Sequence, residues 1–136
     1  MKNLKLLSFL MIIGLFNSCS VDDDYNNNPS LLGAWNLVEV SGTIAGTTDE
    51  FALGTIVWNF STSEVAVLNT NTNDSLQDGF DSGTYDYILA NTPASNSICN
   101  QTIAFAADDT RCIEFSNNVL IITENIADAV TYKFIR

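Results

Sequence analysis

The side chains that could do chemistry in this 136-residue chain are three cysteines and a set of carboxylates. It has no histidine, and five basic residues stand against 16 acidic ones. Without histidine, a serine or cysteine nucleophile cannot be activated by a neighbouring imidazole. Five of the aspartates fall in or beside turns, where carboxylates are usually solvated: Asp78, Asp81, Asp86, Asp108 and Asp109. We therefore predict that the chain is not an enzyme and holds no metal or other cofactor.

Cys19 directly follows an apolar stretch, residues 6–16, which Lys2 and Lys5 precede. The stretch is shorter than the roughly 20 residues that a membrane-spanning helix needs, and a charged start before a short apolar run is typical of an export signal. Ser18-Cys19 resembles the lipobox of bacterial lipoproteins, whose cysteine is lipidated and becomes the mature N-terminus. The resemblance implies a signal peptide over residues 1–18 and a lipid on Cys19. A short buried helix is the alternative interpretation.

Residues 19–30 contain three consecutive aspartates and four asparagine or proline residues but few apolar side chains. Such a composition buries no core, so we predict a flexible tether. Aspartates soon after the cysteine also resemble the export signal of Bacteroidota surface lipoproteins. The predicted location is therefore the cell outer membrane, with the protein lipid-anchored and displayed on the outer face. A tether that faces the periplasm is the alternative.

Removal of Lys2 and Lys5 with the signal would change the net charge from −11 to −13, because all 16 acidic residues follow Cys19. Nucleic-acid binding requires clustered lysine and arginine, so nucleic acid is excluded as a partner. Attraction of the mature chain to anionic headgroups by charge alone is also disfavoured. The predicted membrane association is through the N-terminal lipid.

Cys99 and Cys112 form an even pair in a chain predicted to enter an oxidising compartment, which favours a disulfide. A thiol redox site would favour Cys-x-x-Cys spacing, and a metal site would need further ligands. A bridge across 13 residues would contribute about 3 kcal/mol in the chain-entropy model.

From residue 31 onward, short runs of alternating apolar and polar residues are separated by turn residues. This pattern predicts eight strands in an all-β barrel or sandwich, formed by a single domain over residues 31–136. The predicted strands cover residues 31–41, 55–60, 64–68, 84–90, 99–106, 111–115, 119–123 and 129–135.

Gly33-Ala34-Trp35 at the start of the first strand resembles the Gly-x-Trp motif of lipocalin-like domains. More narrowly, the chain resembles the small lipocalin-like lipoproteins of Bacteroidota, which also tend to carry a Gly-x-Tyr segment such as Gly83-Thr84-Tyr85. The resemblance implies a small eight-stranded antiparallel up-and-down barrel. It also implies that Trp35 packs across the closed end, with Arg136 as the candidate for the arginine that often covers it. The Thr-Asp-Tyr motif of the larger lipocalins is missing, and the domain is shorter than theirs.

Two functions follow as expectations. In the first, the barrel or its mouth binds a small apolar ligand, with Trp58, Tyr85 and Tyr87 as candidate lining residues, because ligand sites are mostly apolar with few polar groups. In the second, side chains fill the barrel, and the chain is a surface or accessory lipoprotein that contacts a protein or a glycan.

The segment 69–83 is rich in asparagine and aspartate, which are calcium ligands, but it lacks EF-hand spacing. Asp74 stands where that motif requires glycine, and Phe80 stands where it requires a bidentate glutamate. We predict a solvated loop, with bound calcium as the alternative. Asp74-Ser75-Leu76 within it resembles the site at which Bacteroidota O-glycosylate exported proteins, and an unmodified Ser75 is the alternative there.

Overall fold

The computed structural model describes residues 30–42, 46, 48–91, 99–106, 109–126 and 128–136. The predicted signal peptide, Cys19 and nearly all of the predicted tether lie outside these residues. The described part is all-β and forms one antiparallel sheet of ten strands that is nearly closed into a barrel. The strands are β1 (Gly33–Ser41), β2 (Thr48–Glu50), β3 (Ile56–Phe60), β4 (Glu64–Asn69), β5 (Gly83–Asp86), β6 (Ile88–Asn91), β7 (Gln101–Ala106), β8 (Asp109–Phe115), β9 (Val119–Glu124) and β10 (Thr131–Ile135).

Consecutive strands pair as a meander except β2 with β3 and β5 with β6, and β1 pairs with β10, which joins the first and last strands. The alternation of apolar and polar side chains determines which face of the sheet is buried, because residues two apart on a strand face the same side. On β3, for example, Ile56, Trp58 and Phe60 are buried while Asn59 is exposed. The same alternation around the sheet places one apolar core inside the barrel.

Ten strands replace the eight predicted because β2 was not predicted and because the predicted strand over residues 84–90 is divided into β5 and β6. β2 and β3 both pair with the edge of β1 opposite β10, and residues 51–55 lie between them. Between β2 and β3, the backbone N–H of Gly54, which has a φ of +82°, donates to Asn36 Oδ1 at 2.9 Å. β2 was missed in the sequence because three polar residues show no alternation.

The predicted strand over residues 84–90 is interrupted by a single residue, Tyr87, which separates β5 from β6. β5 pairs with β4, whereas β6 pairs with β7 at the other end of the strand order. The backbone N–H of Tyr87 donates to the carbonyl of Ser63 at 2.8 Å. One continuous stretch of chain therefore supplies both edges of the sheet, which is why the barrel is nearly closed.

The barrel has two distinct ends. The terminus end carries Ser30, Arg136 and the tight turns at 61–63 and 116–118, because β1 starts and β10 finishes there. The loop end carries the connection from β4 to β5, residues 70–82, together with the last residues of β1, β7 and β9. The two ends differ sharply in chemistry.

Candidate ligand site at the loop end of the barrel

The terminus end is closed by Trp35 and Arg136. Trp35 is fully buried, and its Nε1 donates to the carbonyl of Leu31 at 2.7 Å. The guanidinium carbon of Arg136 lies 4.0 Å from the Trp35 ring centroid, and its Nη2 donates to the carbonyls of Ser30 and Leu32, both at 2.6 Å. Gly33 adopts a φ of +105°, a conformation that side chains disfavour. Gly33 and Trp35, the two residues of the Gly-x-Trp motif, therefore have structural roles at this end of the barrel.

Inside the loop end lies Arg111, which is only 8% exposed. Its side chain points into the barrel, as does that of Ile113 two residues further along β8. Its Nε and Nη2 donate to the two carboxylate oxygens of Asp109 at 2.7 and 3.0 Å. Glu124 on β9 places a carboxylate oxygen 4.0 Å from Nη2. Burial lowers the pKa of Arg111, but the hydrogen bond and charge of Asp109 outweigh it and raise this pKa overall. The guanidinium is therefore a fixed positive charge with acidic partners.

Aromatic rings form the remaining walls around this guanidinium. Its carbon lies 5.2 Å from the ring centroid of Phe80, 5.8 Å from that of Phe105 and 5.4 Å from that of Tyr132. Cation–π attraction of this kind is strongest where water is excluded. Burial raises the pKa of Tyr132, against the opposing effect of the Arg111 charge, so its phenol is neutral at neutral pH.

Phe80 is the centre of the cluster, and it comes from a loop instead of a strand. Its ring stacks on Trp58 at a centroid distance of 5.1 Å and an interplanar angle of 5°, and on Tyr85 at 4.7 Å and 26°. Phe105 meets it edge-on at 5.0 Å. The half-buried Phe80 side chain therefore fills the barrel at the loop end.

Two hydrogen-bond donors in this cluster are buried without a partner among the described residues. They are Nη1 of Arg111 and Nε1 of Trp58. A Cβ at Gly79 would lie 3.7 Å from Trp58 Cζ2, the carbon two bonds from Nε1, so the donor edge of the indole lies near the segment that carries Phe80. A buried donor left unpaired costs about 1–3 kcal/mol, so each donor favours an incoming acceptor.

The loop that carries Phe80 is built from its own asparagines. Asn69, Asn71 and Asn73 each accept, through their side-chain oxygen, a hydrogen bond from the backbone N–H two residues ahead, at 2.9 to 3.2 Å. Such Asx-turns hold irregular backbone in place. Asp78 Oδ2 accepts from the side-chain amides of Asn69 and Asn71 at 3.0 and 2.9 Å. The asparagine-rich composition therefore has a structural role.

The three predicted lining residues do not come together as one set. Trp58 and Tyr85 both stack on the Phe80 ring, over which Arg111 also lies. Tyr87 instead contacts Phe60 edge-on at 5.4 Å and donates its hydroxyl to the carbonyl of Ser61 at 2.6 Å, in the turn at the terminus end. Arg111 and Phe80 were missed. Arg111 lies two residues before Ile113 on β8 and therefore on the same inward face, so the alternation of this strand could have identified it. No alternation in the sequence identifies Phe80.

Cys99 and Cys112 form a disulfide with a Cα–Cα distance of 5.7 Å, as predicted. Cys112 pairs with Thr102 across β7 and β8, so the bridge ties the segment before β7 to the middle of β8. Among the residues that the structure describes, no three histidine, cysteine or acidic side chains gather as they would around a metal ion. Ser75 is exposed in the asparagine-rich loop, and its hydroxyl lies 2.6 Å from Asn73 Oδ1.

Cys19 and the residues around it lie outside the described ranges, so lipidation stays a prediction. Within those ranges, there is no helix with the length and hydropathy required to cross a bilayer. Comparison of the chain with protein-family models, with curated proteins and with solved structures finds no match in any of the three.

Proposed function

We propose that the chain is a lipid-anchored lipoprotein of the outer membrane whose lipocalin-like barrel binds a small, mostly apolar ligand at its loop end. The anchor rests on the Ser18-Cys19 motif. The lipocalin-like assignment is supported by the antiparallel meander, by the junction of β1 with β10, and by Arg136 lying over Trp35 at the terminus end.

The observation that carries the binding proposal is the position of Phe80. An apolar ring that a loop supplies sits among rings that belong to the strands of the barrel and beside two unpartnered donors. A ligand that displaces Phe80 would inherit its apolar walls and gain the hydrogen bonds that a phenyl ring cannot accept. Apolar walls with a few convergent polar groups are the usual character of small-molecule sites.

The interior of the barrel beyond Phe80 is too closely packed to hold such a ligand, which leaves the loop end as the place for it. Trp35, Leu37 and Phe134 are fully buried, and Trp58 has four aromatic neighbours with centroids 5.0 to 6.1 Å away. Close-packed interiors accept added atoms only at the cost of strain. The site we propose is therefore shallow and is made by moving Phe80.

The tether would join the barrel at its terminus end. The chain enters the barrel at Ser30, which Arg136 holds at the terminus end. A tether of about 11 residues reaches at most about 35–40 Å when extended. The loop end, opposite the point of attachment, would then be free to meet a ligand, which is compatible with display on the outer face of the outer membrane. A periplasm-facing anchor is the alternative.

Tryptophan fluorescence tests the binding proposal because the Trp58 ring stacks on Phe80, whereas the Trp35 ring is covered by Arg136. In Trp35→Phe, Trp58 is the only tryptophan, and titration with an apolar probe such as methyl decanoate should give a saturable change at micromolar concentration. Trp58→Phe is the matched control, in which the remaining Trp35, whose ring is covered by Arg136, should respond much less. Phe80→Ala should strengthen binding several-fold, because no side chain must then be displaced.

The second candidate function is a filled barrel that contacts a protein or a glycan. It is favoured by the packing around Trp58 and by the exposed side chains of Leu53, Leu68 and Ile88 on the outer surface. A Trp58 signal that stays flat with every probe, in a variant that melts cooperatively, would reject ligand binding in favour of this function.

A further inference from the structure

The charges around Arg111 decide which polar group a ligand can bring to the loop end. Asp109 engages two nitrogens of the guanidinium, and Glu124 lies 4.0 Å from one of them. One positive and two negative charges leave the cluster with a net charge of −1. The chain as a whole adds to this, since its net charge is −11.

The geometry leaves one part of the guanidinium for a ligand. Nε and Nη2 are occupied by Asp109, whereas Nη1 is buried without a partner. A neutral oxygen could accept from Nη1 without disturbing the pair with Asp109. A carboxylate at the same place would stand beside two existing carboxylates in a site with little water, where repulsion between like charges is weakly screened.

We propose that the ligand is an uncharged amphiphile, with an apolar chain in the place of Phe80 and a carbonyl, ester or hydroxyl oxygen that accepts a hydrogen bond from Arg111 Nη1. Asp109 and Glu124 are the specificity-determining residues, because their charges exclude carboxylates such as fatty acids. This inference rests on the proposed ligand-binding function and adds to it the chemical class of the ligand.

Three probes of matched chain length separate the possibilities: methyl decanoate, decanoate and decane, each titrated into Trp35→Phe while Trp58 emission is recorded. Methyl decanoate should bind most tightly. Decanoate should bind about tenfold more weakly or worse, as expected for one like charge in a partly screened site. Decane should also bind more weakly, because it offers no acceptor to Nη1.

Glu124→Gln supplies the decisive variant. It removes one negative charge while Arg111 keeps its pair with Asp109, and the glutamine side chain retains an oxygen that can accept from the backbone N–H of Val130, as Glu124 does at 3.4 Å. Decanoate binding should tighten toward that of methyl decanoate, whose own affinity should barely change. A thermal melt checks that the variant is folded.

Each outcome decides one of the two proposals. Decanoate binding as tightly as methyl decanoate, or unaltered by Glu124→Gln, would overturn the exclusion of carboxylates while leaving ligand binding intact. Decane binding as tightly as methyl decanoate would overturn the role of Nη1. Failure of all three probes would overturn the proposed ligand binding itself, and this inference with it.

Discussion

At the scale of single residues, the two arginines at opposite ends of the barrel have opposite tasks. Arg136 saturates the carbonyls of Ser30 and Leu32 and covers Trp35, so it finishes a closed surface. Arg111 is more deeply buried, and one of its donors is left unpaired. A buried charge is tolerated only when it is paired, which accounts for Asp109 and Glu124 beside it.

Tyr132 makes a prediction about alkaline stability. Burial raises its pKa above the ordinary value of 10.0, so the unfolded chain loses this proton at lower pH than the folded chain does. The free energy of unfolding should therefore be insensitive to this group below about pH 9 and should fall as the pH rises through 10 toward the folded pKa. Tyr132→Phe should show a smaller loss between about pH 8 and about pH 11, measured by urea unfolding.

Tyr87→Phe is the matched comparison. Burial also raises the pKa of Tyr87, but its hydroxyl donates to the carbonyl of Ser61. Loss of that hydrogen bond should lower the free energy of unfolding by about 1 kcal/mol even at neutral pH. An alkaline loss in Tyr132→Phe as large as that of the unmodified chain would contradict the assignment to Tyr132.

At the scale of strands and loops, the disulfide makes the clearest prediction. Cys99–Cys112 closes a loop of 13 residues and joins the segment before β7 to β8. The double variant Cys99→Ser, Cys112→Ser should lose about 3 kcal/mol of unfolding free energy. Denaturant unfolding with and without a reductant measures this, and reductant should not affect the double variant. Equal midpoints for the oxidised and reduced protein would show that the bridge does not stabilise the fold.

Strands were predictable where side chains alternate, as the near agreement of β3, β4 and β9 with their predicted bounds shows. β2 was not, since three residues pair only because β1 offers them an edge. In the site, Trp58 and Tyr85 were predictable as inward aromatics. Phe80 was not, because its place depends on how the loop of Asx-turns folds back over the barrel, a tertiary contact that leaves no period in the sequence.

At the scale of the whole molecule, the proposed lipid on Cys19 would determine where the domain resides. Cys19→Ala should release the protein from the membrane fraction, because stable anchoring requires at least two acyl chains and the variant could carry none. Fractionation followed by a carbonate wash and intact-mass measurement tests this, with Cys99→Ser, Cys112→Ser as the control that keeps Cys19. A Cys19→Ala protein of unchanged mass that still sediments with membranes would reject the lipobox interpretation.

The placement of β1 between two sets of partners has a mechanical consequence. β1 pairs with β10 along one edge and with β2 and β3 along the other, and Ser30 precedes it at the terminus end. A force applied between the tether and the loop end would act roughly along this strand, perpendicular to the hydrogen bonds that join it to its neighbours. Both ladders would then be loaded in shear, so many bonds would resist at once instead of opening one after another.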